Sequence, residues 1–266
     1  MILTLNRMGP GRFVLYAIAI ATTAFLLLPV IFIALLSFGS SQWLQFPPPG
    51  WTFKWYEALF ADTRWIEAMF NSLKIGLCVT ILSVALGLPA AFAIVRGRFP
   101  GRALLHAVFI SPMVVPVIIL AIALYVLVLK FGLNGTMVAF VAAHLVLAIP
   151  FSVICIVNSL EGFDVSIEKA AIVCGATKLQ AIRRVTLPAI RLGILSGALF
   201  SFLVSWDEVV LSIFMASPGL QTLPVKMWTT LRQDLTPVIA AVSTLLIVLT
   251  IAVMLVAAFL RRSVAR

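Results

Sequence analysis

Six stretches of the chain, about Val14–Ser37, Phe70–Val95, Ala103–Leu129, Met137–Leu160, Leu192–Ala216 and Pro237–Leu260, are each long and apolar enough to cross a bilayer. A spanning helix needs about 20 predominantly apolar residues. Composition agrees: 63% of the 266 residues are hydrophobic and 11% charged, against roughly 45–50% and 25% in a soluble domain. A soluble protein of this size leaves about a quarter of its unfolded surface exposed, too much to keep so apolar a chain in water. The expected fold class is an all-α integral membrane protein of about six transmembrane helices. Arg7 and Arg12 precede the first stretch as in a signal peptide. Its apolar run exceeds the 7–15 residues of such a core and no clear cleavage site follows, so it reads as a retained helix.

Lys and Arg set the orientation. With the N-terminus inside, cytoplasmic segments hold Arg7, Arg12, Arg96, Arg98, Arg102, Lys169, Lys178, Arg183, Arg184, Arg191, Arg261, Arg262 and Arg266. The outer segments hold Lys54, Arg64, Lys74, Lys130, Lys226 and Arg232, a split of 13 against 6. Both termini are therefore expected in the cytoplasm. The net charge of +10 reads as this topology signal facing the lipid bilayer. No basic run carries interleaved aromatics, so nucleic-acid binding is not expected. Cys78, Cys155 and Cys174 lack C-x-x-C spacing, and neither a disulfide nor a metal site is expected.

Two outer segments are long. Gln42–Trp65 carries Pro47-Pro48-Pro49-Gly50 and then Trp51, Trp55, Tyr56 and Trp65. It reads as an interfacial aromatic belt, with a docking surface for an external partner as the alternative. Ser217–Thr236 contains Pro218-Gly219 and Leu223-Pro224 and fits a short broken or re-entrant element. Inside, Arg96 to Arg102 forms a tight basic turn.

The cytoplasmic segment from Glu161 to Arg191 reads as two short helices in an L. Asp164 or Ser166 can cap the first, with Glu168 in its first turn. Gly175 is placed to end it in a left-handed conformation. Thr177 and Gln180 form a capping box for the second. Arg183 and Arg184 fall in its last turn, and Leu187-Pro188 is expected to stop it. Such an elbow suits docking into another protein's groove, because small alanines admit a close backbone; a merely solvated basic loop is the alternative.

The run Lys169-Ala170-Ala171-(x3)-Gly175-(x9)-Val185-x-Leu187-Pro188 resembles the E-A-A-x3-G-x9-I-x-L-P loop of ABC importer permeases. Lys169 stands where that family places its acid, and Glu168 stands one place earlier. The resemblance extends to length and to the loop's place between the fourth and fifth stretches. It implies a single permease domain over residues 1–266, of the type I importer fold, in the bacterial inner membrane. Glu168, Lys169, Ala170, Ala171, Gly175, Leu187 and Pro188 would then form a coupling element. The implied partners are a second homologous permease, two copies of an ATP-binding subunit and an external substrate-binding protein. No G-x-x-x-x-G-K-[ST] motif is present, so ATP and Mg would be bound by the partner ATPase, with no cofactor in this chain. No catalytic residues are expected. His106 and His144 read as packing or interfacial residues.

Asp207 and Glu208 lie within the fifth stretch, roughly 24 Å from its cytoplasmic end at 1.5 Å per residue. An acid near the bilayer centre costs about 2.5–3.5 kcal/mol, so such residues usually face a pathway or a partner; a structural acid satisfied within the bundle is the alternative. Gly197, Ser201, Ser205, Glu208 and Ser212 step along one helical face, with Asp207 about 100° away. Ser201, Ser205, Trp206, Asp207 and Glu208 are the candidate substrate pathway. Gly193 and Gly197 form a G-x-x-x-G pattern of the kind found at close helix crossings. Ser205-Trp-Asp-Glu-Val-Val-Leu-Ser and Thr222-Leu-Pro-Val-Lys-Met-Trp resemble the second permease of spermidine/putrescine importers. That likeness implies a small cationic solute such as a polyamine. Permeases for opines, amino-acid-like compounds or iron share the framework. An ion-coupled secondary transporter is the competing class, but it would more often show internal repeats, and the two halves here show none.

Overall fold

Helices account for nearly all regular structure, as long apolar runs require where lipid offers the backbone no hydrogen-bonding partner. The computed structural model describes residues 11–233 and 236–265, and the side chains of 12–233 and 236–255. Arg7 and Arg266 lie outside the described residues, and Arg261 and Arg262 are described by backbone alone. In chain order the helices are α1 Gly11–Leu36, α2 Lys54–Ala61, α3 Thr63–Arg96, α4 Arg102–Ile110, α5 Val117–Lys130, α6 Met137–Glu161 and α7 Val165–Val173. Then come α8 Lys178–Ala181, α9 Leu187–Ala189, α10 Arg191–Trp206, α11 Val210–Met215, α12 Leu223–Gln233 and α13 Pro237–Ala265. Among the described residues there is no strand.

The described residues form two compact units. One comprises those of Met1–Asp62 together with Thr230–Leu255; the other is Thr63–Thr229 with the described part of Val256–Arg266. In the first unit, Ser37 and Tyr56 share a 2.7 Å hydroxyl contact, and the Trp55 indole N–H donates to the Gly39 carbonyl at 2.7 Å. Trp43 and Trp51 are exposed, as a belt requires. Trp65, expected in the same belt, belongs instead to the second unit. It is buried in the first turn of α3 with the Lys226 ammonium 5.5 Å from its ring centre.

The second unit is built on α3, α6 and α10, which pack on one another. One apolar core joins Ile75, Val79, Ala121, Phe140, Ala143, Leu211 and Met215; another joins Ala91, Ile94, Val153, Ile156, Leu160 and Ile190. The G-x-x-x-G pattern lies at the crossing of α10 and α6. A Cβ on Gly193 would lie 2.0 Å from the Ser159 hydroxyl oxygen and 2.9 Å from the Cys155 carbonyl oxygen. One on Gly197 would lie 3.1 Å from the Ser152 Cα. The expected re-entrant element after the fifth stretch is a turn at Ser217–Leu220 followed by α12. It is tied to α3 where the Leu223 N–H donates to the Ser72 hydroxyl at 2.8 Å.

Four helices are individually long and apolar enough to span: Arg12–Leu36, Thr63–Arg96, Met137–Glu161 and Pro237–Leu255. The count reaches six when two bent pairs are taken as one span each. The third expected stretch is one of these pairs: it bends by 102° between Arg102–Met113 and Val117–Lys130. Pro112 and Pro116 account for this, since each removes a donor and disfavours helix in the residue before it. Pro150, though a proline inside the fourth stretch, does not interrupt its helix. It sits buried within the continuous α6. The fifth stretch is not one helix either; α10 stops at Trp206 and α11 starts at Val210.

Gly193→Ala should cost about 1–3 kcal/mol by overpacking the α6–α10 crossing. Gly219→Ala, whose added methyl meets nothing within 4 Å, should be close to neutral. Thermal unfolding of the two purified variants in detergent checks the contrast.

Candidate functional site: the elbow and the break in the fifth stretch

Local signals build the elbow. Asp164 caps α7, its carboxylate accepting from the Ser166 N–H at 2.8 Å and the Ser166 hydroxyl at 2.7 Å. These two bonds, the backbone one foremost, hold the Asp164 carboxyl below its ordinary value. Gly175 follows α7 with φ +94°, the left-handed conformation that favours glycine. Thr177 and Gln180 form the reciprocal capping box at the start of α8.

Leu187-Pro188 does not end the second helix as expected. Helix continues from α8 through a π turn at Ile182–Thr186 into α9, and the break comes at Ile190, with a 66° bend into α10. A wider π turn absorbs the hydrogen bond that proline cannot make. Arg183 and Arg184 lie in that turn and are exposed. The same turn carries Thr186 into the interior.

Glu168 is turned inward. Its carboxylate is buried, accepting hydrogen bonds from the Thr186 hydroxyl and the Arg96 guanidinium at the end of α3. Arg96 also lies over the Phe92 ring at 5.1 Å and the Phe163 ring at 5.8 Å. Burial alone would raise the Glu168 carboxyl. The Thr186 and Arg96 hydrogen bonds, with the positive charge of Arg96 and Lys178, outweigh it and hold the group below its ordinary value. Lys169, Ala170, Gly175 and Pro188 are exposed, and Ala171 and Leu187 half-buried. Large apolar residues stand exposed beside them: Ile167, Ile172, Leu179 and, at 87%, Val173. Exposed aliphatic groups together on one element mark a surface meant to be covered.

The break lies at Asp207–Val209. Asp207 is exposed and Glu208 half-buried. The Glu208 carboxylate accepts from the Leu211 N–H at 2.8 Å, capping α11. The other candidate pathway residues face the bundle. The Ser201 hydroxyl donates to the Ala148 carbonyl of α6 at 3.2 Å, and Trp206 is buried and stacked on Phe202 with ring centres 5.6 Å apart. Ser205 and Ser212 are both buried against His144 of α6. Its Nδ1 is 2.9 Å from the Ser205 hydroxyl and its Nε2 is 2.9 Å from the Ser212 hydroxyl. The serine stripe is thus a helix contact. His144 is buried, in keeping with a packing role, but its partners are 61 and 68 residues away, beyond any local spacing rule. A lone polar ring in an apolar run does signal that partners exist, because an unpaired buried polar group is costly.

Residues 83–266 match the family described as binding-protein-dependent transport system inner membrane component. The chain belongs to this family. It is a permease subunit of an ABC importer and not an enzyme. The permease is 29% identical over 252 residues to the spermidine/putrescine transport system permease protein PotC of Escherichia coli (strain K12), covering 95% of each chain. It is 32% identical over 230 residues to the putrescine transport system permease protein PotI of the same strain, covering 84% of this permease and 82% of that protein. Its fold matches a chain of a bacterial ABC transporter that imports the acidic polysaccharide alginate, with a TM-score of 0.75 and 18% identity over 94% of this permease and 95% of that chain.

Arg96→Gln removes the cation beside Glu168 and is expected to cost the elbow about 1–3 kcal/mol of local stability, read as faster amide hydrogen exchange across Val165–Val173. A depressed native carboxyl stabilises fully above its ordinary value of 4.5, and that contribution is lost as pH falls through the lower native value. The difference between the permease and Arg96→Gln should therefore be present at pH 7 and shrink below pH 4.5.

Proposed function

We propose that this permease forms half of the translocation path for a small organic cation of the polyamine class. The observation that carries the reading is the pair of carboxylates at the break: Asp207 is exposed and Glu208 half-buried in a stretch that holds no other charged residue. A polyamine carries several ammonium groups through a low-dielectric region, where acids along the path offset their lost hydration. The names of PotC and PotI support the same substrate class.

Membership of the family supports the following reading of the rest of the machine. A second homologous permease supplies the other half of the path, an external binding protein delivers substrate, and two copies of an ATPase subunit hold ATP and Mg. Both termini lie in the cytoplasm of a bacterium and the chain crosses its inner membrane several times. ATP-driven closure of the ATPase pair moves the elbow and turns the path outward; hydrolysis resets it. Ile172, Val173 and the exposed alanine Ala170 supply the docking face, with Lys169 meeting an acidic group of the ATPase. Glu168 serves coupling from inside by tying the elbow to α3 through Arg96.

The test is uptake into proteoliposomes holding the complete importer. Asp207→Asn and Glu208→Gln keep the side-chain shape, and Gln at 208 retains an oxygen for the α11 cap. Each lost charge contact of about 1.5–3 kcal/mol should slow polyamine uptake by about tenfold or more with the ATPase still bound. Unchanged uptake in both variants would remove the path role. Transport blocked by vanadate and indifferent to proton ionophores supports the ATP-driven mechanism; the reverse pattern supports an ion-coupled one. Lys169→Glu should weaken ATPase binding by about threefold to tenfold at low salt, with less effect at high salt.

A further inference from the structure

The hydrogen bonds around His144 run in one direction. The Ser212 hydroxyl has a single proton, and it donates that proton to the Glu208 carbonyl at 2.8 Å. Toward His144 it therefore accepts, which places the ring proton on Nε2. Nδ1 is then the acceptor, and the Ser205 hydroxyl donates to it. The chain Ser205 to His144 to Ser212 to the Glu208 carbonyl is complete with a neutral imidazole, and each of its protons is used. It begins in α10, passes through a ring carried by α6, and ends on the peptide between the two acids and α11.

We infer that His144 is a positioning residue for transport: bonded to α10 on one side of the break and α11 on the other, it sets the direction in which Asp207 and Glu208 are presented. Three residues, Asp207 to Val209, separate the two helices. The backbone of this segment has one helical bond back, from the Asp207 N–H to the Leu203 carbonyl at 3.1 Å. Forward, it is held by the Ile213 N–H donating to the Val209 carbonyl at 2.9 Å, by the Glu208 side chain on the Leu211 N–H and by Ser212 on the Glu208 carbonyl. Ser212 is in turn oriented by the imidazole. Full burial of Ser212 and 1% exposure of His144 keep solvent from competing for these bonds. A ring with two opposed nitrogens spans the gap between two hydroxyls; an aliphatic side chain of equal volume packs there and bonds neither.

This inference rests on the reading of Asp207 and Glu208 as path residues, and the test separates the two. His144→Leu, His144→Gln, Ser205→Ala and Ser212→Ala are compared in the complete importer in proteoliposomes, measuring polyamine uptake and ATP hydrolysis stimulated by the loaded binding protein. His144→Leu should lower the uptake per ATP hydrolysed by about tenfold, and His144→Gln, whose amide reaches Ser212, should restore part of it. Each serine variant, a milder change, should give part of the loss. A purely structural role lowers uptake and stimulated hydrolysis together, and that result overturns the inference. The decisive arm adds His144→Leu to the Asp207→Asn, Glu208→Gln background. If His144 acts through the acids, it should lower uptake there by less than twofold; a full further tenfold loss overturns the inference alone. Acid variants that transport normally overturn the path reading, and the inference with it.

Discussion

The approach of α10 to α6 at Gly193 and Gly197 sets the geometry on which the elbow and the break both depend. With no side chain at either glycine, the α10 backbone comes against Ser152, Ser159 and the Cys155 carbonyl. Further along the same interface, that closeness lets Ser201 reach the Ala148 carbonyl and Ser205 reach His144. In lipid, where association gains little from hydrophobic burial, such contacts hold helices together through packing and internal hydrogen bonding. The polar residues in this stretch are used chiefly to satisfy one another.

The elbow and the acidic break are the two ends of one element. α10 has 16 residues, about 24 Å of regular helix at 1.5 Å per residue. It starts at the 66° bend after Ala189 and ends one residue before Asp207. Ile190, at the bend, is buried in the core that holds Ile94 of α3 and Ile156 of α6. Glu168 joins the elbow's first helix to Arg96 on α3 and to Thr186 of its second. A displacement of the elbow therefore reaches α3 through a charged hydrogen bond and α10 through the chain itself. Those two helices pack with α6 into one bundle, so the elbow and the carboxylates are joined by continuous, packed helix.

Features carried by neighbours in the chain were legible in the sequence. The Asp164 cap, the Thr177–Gln180 box and the left-handed Gly175 each rest on contacts within about three residues, and each is present. So is the close crossing signalled by the two glycines. Interruptions were harder to read. Hydropathy averages over a window, so α4 with α5 and α10 with α11 looked like single helices. Proline was an ambiguous guide: Pro112 and Pro116 stand at a bend, while Pro150 lies buried within a continuous helix. The division into two units left no mark in composition. Least legible were the pairings that define the site, Glu168 with Arg96 across 72 residues and His144 with serines 61 and 68 residues on. Helical spacing correctly put Ser201, Ser205 and Ser212 together, but a stripe does not say whether it faces a path or another helix.

Glu168 and Lys169 show how a shift of one place changes a motif's meaning. Successive residues on a helix point about 100° apart. With the acid at 168, the carboxylate falls on the inner face of α7, within reach of Arg96 and Thr186. The residue at 169 falls on the outer face. The family's acid position is thus filled here by an exposed cation, and the negative charge is consumed inside the chain. An acid buried in this way is held by its partners and cannot also serve an outside protein, because withdrawing it would leave Arg96 without its anion. What remains exposed on the elbow is the aliphatic groups of Ile172, Val173 and Leu179, and a rim of lysine and arginine. The elbow keeps the glycine and the small residues of the motif it resembles, while the charge it exposes is of the opposite sign.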